Sequence, residues 1–187
     1  SYTETWGSVL RGWHRILISP CPLVTDYFAI GGLASTLLNA GACGLACCAF
    51  MLLLKGESRA NTLAGYFLVV GHCFYGLNFL NMWPCFLAPF LYFRRNRLNY
   101  KANLHICMFA TSFAPFVSEF LFRYGQASEF VFGQFRLSPL GPGLVLAFAL
   151  LLGFTVPVIL PGARVWHKGY NLYNGGLAFG LLGFFLY

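Results

Sequence analysis

Charged residues are so sparse in this chain that its uncharged intervals can be read directly. One runs from Asp26 to Lys55, a second from Arg59 to Arg94, a third from Lys101 to Glu119 and a fourth from Arg136 to Arg164, and residues 169–187 carry no charged side chain. A helix crossing the hydrocarbon core needs about 20 predominantly apolar residues. Four or five of these segments qualify, and only 102–118 is marginal. A membrane β-barrel would instead alternate apolar and polar positions over segments of about 10 residues, and no such alternation is visible. The expected fold is therefore all-α: a polytopic helical membrane protein with about five membrane segments, one of them broken or re-entrant.

Ahead of the first span, "WGSVLRGWHRIL" places Trp6, Val9, Leu10, Trp13, Ile16 and Leu17 on one helical face and Arg11, His14 and Arg15 on the other. That is the pattern of a helix lying in the headgroup region with its tryptophans sunk; the alternative is an amphipathic helix packed on a partner. Ser19, Pro20 and Pro22 end it. Residues 1–26 thus read as an interfacial helix and linker, and 27–170 as the membrane domain. Thr25 or Asp26 is a natural N-cap for a span over 27–54. Within that span small residues recur every four positions, as Gly32, Thr36, Ala40, Gly44 and Cys48, and again as Gly31, Ser35, Asn39, Cys43 and Cys47. Two adjacent rows of small side chains let helix backbones approach closely in lipid. The helix is either buried in a bundle or lines a path.

The interval 60–93 is too long for one straight crossing, about 50 Å against a core of about 30 Å. It is interrupted by "YGLNFLNMWP", where Gly76, Asn78, Asn81 and Pro84 weaken helix continuity. Irregular backbone at membrane depth must be buried in protein or line a water-filled cavity, and discontinuous helices mark binding sites in many transporters. Two ordinary segments joined by a tight loop are the alternative. Beyond the basic loop "RRNRLNYK", the segment 102–122 carries Pro115 as a kink and Glu119 four residues before Arg123, an interfacial helix pair. "SPLGPG" (138–143) reads as a turn, and the next span, 144–160, is expected to end at Pro157 and Pro161.

Composition sharpens the class. With 58% hydrophobic and 9% charged residues the chain lies outside the range of soluble domains. A net charge of +7 would point to nucleic acid in a soluble protein, but here the cations sit in short loops and set orientation. The expected partner is the lipid bilayer, with no nucleic acid. If 60–93 crosses once, Arg11, Arg15, Arg94, Arg95, Arg97, Lys101, Arg164 and Lys168 share one side, against Lys55, Arg59, Arg123 and Arg136. That tally puts the N-terminus in the cytoplasm. The seven cysteines fall mostly in apolar segments and read as reduced packing residues, with no cofactor or metal expected. No secretory signal pattern is visible, and the chain begins with Ser.

Candidate chemistry is thin. His72 and His105 stand in apolar surroundings, and an ionisable residue inside a membrane is a functional hypothesis by default; their neighbours Cys73 and Cys107 supply too few ligands for a metal site. Asn39, Asn78 and Asn81 can replace part of a polar solute's hydration or join helices. Asn39, His72, Asn78, Asn81 and His105 are the candidates for a substrate path, and Gly32, Thr36, Ala40 and Gly44 for helix packing. The segment around Asn78 to Pro84 is expected to pack on the small face of 31–48, exposing Asn39, His72 and Asn78 to a polar path. No nucleophile or zinc motif occurs, and no spacing supports Ser35, Ser112 or Ser118 with a histidine, so no enzyme is expected. The expectation is a transporter or channel-like protein for a small polar solute or ion, the alternative a non-transporting scaffold or assembly subunit. Copies of the chain could also self-associate.

The sequence carries an internal echo. Gly31-Gly32-Leu33-Ala34 matches Gly175-Gly176-Leu177-Ala178, and Leu37-Leu38 matches Leu181-Leu182 at the same offset. Residues 171–187 are accordingly expected to open a second repeat that is interrupted. The stretches "ILISPCPLVTDYFAIGGLASTLLNAG" and "HKGYNLYNGGLAFGLLG" resemble a family of bacterial multi-pass membrane proteins known only as a domain of unknown function, about twice this length, of which the chain would be the N-terminal half. The resemblance implies a bacterial inner membrane, and it brings no activity with it, since the family is uncharacterised. A fainter similarity is to urea transporters, through Gly169-Tyr170-Asn171, but their Asn-Pro re-entrant signature is absent and Ser19-Pro20-Cys21-Pro22 stands in its place.

Overall fold

Thr5 accepts the Ser8 amide through its hydroxyl and opens α1 (Trp6–Ile18). Asp26 caps α2 (Tyr27–Gly31), its Oδ1 accepting the Phe28 and Ala29 amides at 2.9 and 3.2 Å. The computed structural model describes residues 5–21, 25–124, 139–166 and 174–186, and all regular structure among them is helical. Gly32, at φ +83°, ends α2 and lets α3 (Leu33–Leu53) restart in a new direction. The span expected to run unbroken over 27–54 is therefore divided. Expectations that rest on Pro22, Arg136, Ser138, Lys168 or residues 169–171 lie outside the described residues.

Both small-residue rows of α3 face inward up to Cys47, with Ser35, Thr36, Asn39, Ala40, Cys43, Gly44 and Cys47 buried and Cys48 exposed. A Cβ on Gly44 would lie 3.1 Å from the Tyr66 hydroxyl, so the glycine makes room for side chains of the next helix. α1 does not simply float in the headgroups. Its Val9, Gly12 and Ile16 are buried against α2 and α3, and the Ser35 hydroxyl donates to the Val9 carbonyl at 2.9 Å. Its Trp6 and Leu10 remain exposed, as do Arg11, His14 and Arg15.

The interval 60–93 forms a hairpin of α4 (Ala60–His72) and α5 (Met82–Arg95). Beside it α6 (Tyr100–Ala110), a 3-10 turn (Thr111–Phe113), α7 (Ala114–Ser118) and a π-helical turn (Glu119–Tyr124) make one continuous apolar span. The Glu57 amide donates to the Lys101 carbonyl at 3.0 Å. Gly65 abuts Met108, and Gly76 abuts Pro115. Residues 57–76 thus run parallel to 101–115, and α5 must return to the starting end because only Asn96 to Asn99 join it to α6. Phe50, near the end of α3, meets Phe86 and Phe90 of α5 at 4.6 and 5.3 Å, as that return requires.

Of the two forms expected for this segment, broken or re-entrant, the chain takes the returning one, so the single crossing assumed in the charge tally does not apply. Its arms of 13 and 14 residues are about 20 Å long. They reach roughly two-thirds of the way through a core of about 30 Å.

Beyond the hairpin, α8 (Leu140–Trp166) lies along α5 in the same direction, with Gly153 against the Ala88 carbonyl and Phe154 against Tyr92. It runs through Pro157 and Pro161, where an end was expected, and it begins inside the expected "SPLGPG" turn. Without water to compete for freed carbonyls, a membrane helix tolerates proline. Leu33–Leu53, Tyr100–Tyr124 and Leu140–Ala163 are long and apolar enough to cross a membrane. A last helix, α9 (Asn174–Leu186), packs on α8. It passes unbroken through Gly176, where its sequence counterpart Gly32 breaks the chain. All seven cysteines are free thiols, buried except Cys48.

Candidate functional site

At the hairpin tip the chain leaves helical geometry over residues 73–81, with Gly76 at φ +122° against Pro115. In a membrane each unpaired backbone group there would cost several kcal/mol. Three side-chain amides pair them. Asn39 Nδ2 donates to the Cys73 and Leu77 carbonyls at 3.2 and 2.9 Å, and its Oδ1 accepts the Phe79 amide at 3.2 Å. Asn78 Oδ1 accepts the Leu80 and Asn81 amides, both at 2.9 Å, and its Nδ2 donates to the Ile16 carbonyl and the Tyr27 hydroxyl, both at 3.1 Å. Asn81 Oδ1 accepts the Asn78 amide at 2.8 Å, and its Nδ2 donates to the Gly76 carbonyl and to Ser118 Oγ at 2.8 and 2.9 Å. The tip is thereby fastened to α1, α2, α3 and α7 at once.

The tip does pack on the small face of α3, through Asn39. Asn39, Asn78 and Asn81 are each 0% exposed, however, and every amide N–H among them is used within the protein. In this state they are fasteners of the break and do not face a polar path. His72 is half-buried at the end of α4, its ring edge-on to Tyr75 and its Nδ1 buried without a hydrogen-bond partner. His105 is half-buried on α6 with Nδ1 3.1 Å from the Ala102 carbonyl. By the pairing of α4 with α6 the two histidines sit at different depths, about 13 Å apart along the bundle. Gly32 serves as the α2–α3 break, while Thr36, Ala40 and Gly44 form the packed row; the Thr36 hydroxyl returns to the Gly32 carbonyl at 2.8 Å.

The structure adds a residue that the charge pattern alone placed at the interface. Glu119, next to Ser118, opens the π-helical turn and is 8% exposed. Its Oε2 accepts from Arg123 Nη1 at 3.1 Å, while its Oε1 is buried without a hydrogen-bond partner. The i,i+4 pair expected here therefore exists, but one carboxylate oxygen is left over. Glu119 lines a cavity of about 590 Å³ together with Cys21, Ser112, Phe113 and, from α9, Phe179 and Gly180.

Two links tie this cavity to the tip. One runs from Asn81 to Ser118. The other runs from Asn78 to the Tyr27 hydroxyl, which lies 3.3 Å from Cys21 Sγ. Burial pushes the Cys21 thiol up from its ordinary pKa, so it stays protonated at neutral pH. π turns recur at functional sites because they shift the register of the side chains around them, and a buried carboxylate in a membrane span is a functional candidate. The available signal was that Glu119 is the one acid between Lys101 and Arg123.

Ser35 and Ser118 are engaged by the Val9 carbonyl and by Asn81. Among the described residues no three His, Cys, Asp or Glu side chains gather as a metal site would require.

A family model described as a protein of unknown function, DUF1576, matches residues 6–187, nearly the whole chain. No curated protein and no solved structure matches, so the likeness to urea transporters gains no support. The chain belongs to the DUF1576 family.

Proposed function

We propose that this DUF1576 member is an integral membrane transporter or channel-like protein for a small polar solute or ion. The observation that carries the reading is the hairpin tip: non-helical backbone at the end of two arms each about 20 Å long, beside a cavity that holds a buried carboxylate with an unpaired oxygen. Half-helices meeting within the membrane are how many transporters expose backbone and side-chain dipoles to a solute. In this state the tip is the closed barrier, with Asn78 and Asn81 as its latch. Glu119 is the charged group of the site and favours a cation or protonated solute. Asn39 and His72 flank the barrier, and His105 lies on the approach along α6.

We place the protein in a bacterial inner membrane, in an orientation opposite to the one a single crossing implies. With the hairpin returning, Lys55, Arg59, Arg94, Arg95, Arg97 and Lys101 share one end with the end of α8, against Arg11, Arg15 and Arg123 at the other. The positive-inside rule then puts the first group in the cytoplasm and α1 outside.

Cysteine accessibility tests the path. In a chain stripped of its native cysteines, His72→Cys and Ser112→Cys should react with a membrane-impermeant thiol reagent in intact membranes, although both lie at membrane depth. Protection of both sinks the transport reading. That result would favour the second reading, a scaffold or assembly subunit, which the complete internal pairing of the three asparagines also supports; such a subunit should survive mild detergent extraction in a stable complex.

A further inference from the structure

We propose that the cleft between α5 and α8 is a binding site for one anionic phospholipid, with its acyl chain in the cleft and its phosphate on Arg94 and Arg95. The cleft holds about 780 Å³ and is apolar along its length, with Leu87, Ala88 and Leu91 on one wall and Ala149, Leu150 and Gly153 on the other. It exists because small residues face each other. At its floor Gly153 approaches the Ala88 carbonyl so closely that an added Cβ would sit 3.2 Å from that oxygen. Ala149 leaves room above this contact.

The polarity of the cleft is one-ended. From Pro84 to Asn96 it runs about 18 Å at 1.5 Å per residue, close to the thickness of one leaflet's hydrocarbon. Its polar lining is at the α5 terminus, where Arg94, Arg95 and Asn96 form the rim. A ligand that fits is apolar for one leaflet and anionic at its head. Arg97 and Lys101 add charge beside the rim, and among the described residues none of these four cations pairs with a carboxylate; Glu57, on the same end, is taken by Arg59. The Arg94 guanidinium is held over the Tyr100 ring, 5.4 Å from its centroid, which orders one of the two donors in advance. Arginine pairs bind phosphate through forked, charge-assisted hydrogen bonds. No acid on the rim is placed to receive a choline or ethanolamine cation, so the site selects net negative lipids. Basic pockets between spans on the cytoplasmic side bind such headgroups. An apolar helix of a partner would fill the cleft but leave the rim charges unused.

Native mass spectrometry of the protein extracted in mild detergent, delipidated and offered equal amounts of phosphatidylglycerol and phosphatidylcholine of matched chains, tests this. At least a fivefold excess of phosphatidylglycerol adducts is expected. R94Q/R95Q should bring the ratio near one and R94K/R95K should keep part of it. A149F should reduce adducts of both lipids, and R11Q/R15Q, at the opposite end, should change nothing. Equal binding of the two lipids by the wild-type protein overturns the proposal, and so does a preference that survives R94Q/R95Q or falls equally in R11Q/R15Q. A dimer that A149F dissolves would assign the cleft to a second copy and overturn it as well. Because R94Q/R95Q alters only exposed side chains, it remains decisive if A149F misfolds.

Discussion

Asn39 is the residue on which the hairpin tip most depends, since it pairs two carbonyls and one amide that no helix can satisfy. Asn39→Ala leaves those groups unpaired in a dry site, at about 1–3 kcal/mol for each. A clear fall in the thermal unfolding midpoint of the detergent-solubilised protein is expected, and an unchanged midpoint would refute the fastening role. Close approach gives a second prediction. A side chain at Gly31 would meet Ile16 Cδ1 at 2.6 Å and the Gly12 carbonyl at 2.9 Å, so Gly31→Val should lift α1 from α2. Overpacking of that kind costs about 1–3 kcal/mol. Faster proteolysis at residues 5–21, compared with Gly41→Val in open space, would report it. The small-residue rows of α3 were legible because a period of four is a local property. The role of the asparagines was not, because the partners that tie them to other elements lie 34 to 62 residues away.

At the scale of elements, periodicity and proline content read the chain unevenly. The break at "YGLNFLNMWP" stood out because glycine and asparagine cluster there, whereas the return of α5 to its starting end depends on the Glu57–Lys101 and Gly76–Pro115 contacts, which no local pattern encodes. Prolines misled in α8. The rule that they end helices assumes water ready to take the freed carbonyls, and α8 exposes apolar side chains at Leu150, Phe154 and Val158, the surface of a helix made for lipid. The π turn at Glu119 gives a test of its own. Glu119→Gln preserves shape and removes charge, so it should leave thermal stability nearly unchanged and lower any cation flux in proteoliposomes at least tenfold. Loss of stability with no effect on flux would make Glu119 a structural partner of Arg123 and nothing more.

For the whole molecule, the path of one segment decides the rest. Reading 60–93 as a single crossing and as a returning hairpin assigns opposite orientations from the same arginines and lysines. Membrane residence and helical class were legible in composition alone. Sidedness was not, because it depends on how many times a broken segment crosses. The transport proposal and the lipid site share the hairpin: its tip forms the barrier, and its second arm is one wall of the lipid cleft. Sidedness labelling of single cysteines placed at Ser58 and Arg97, in a cysteine-free chain in intact cells and in inverted vesicles, tests that geometry most directly. The returning hairpin predicts that both react with an impermeant reagent from the same side, the cytoplasmic one; reaction from opposite sides would contradict it.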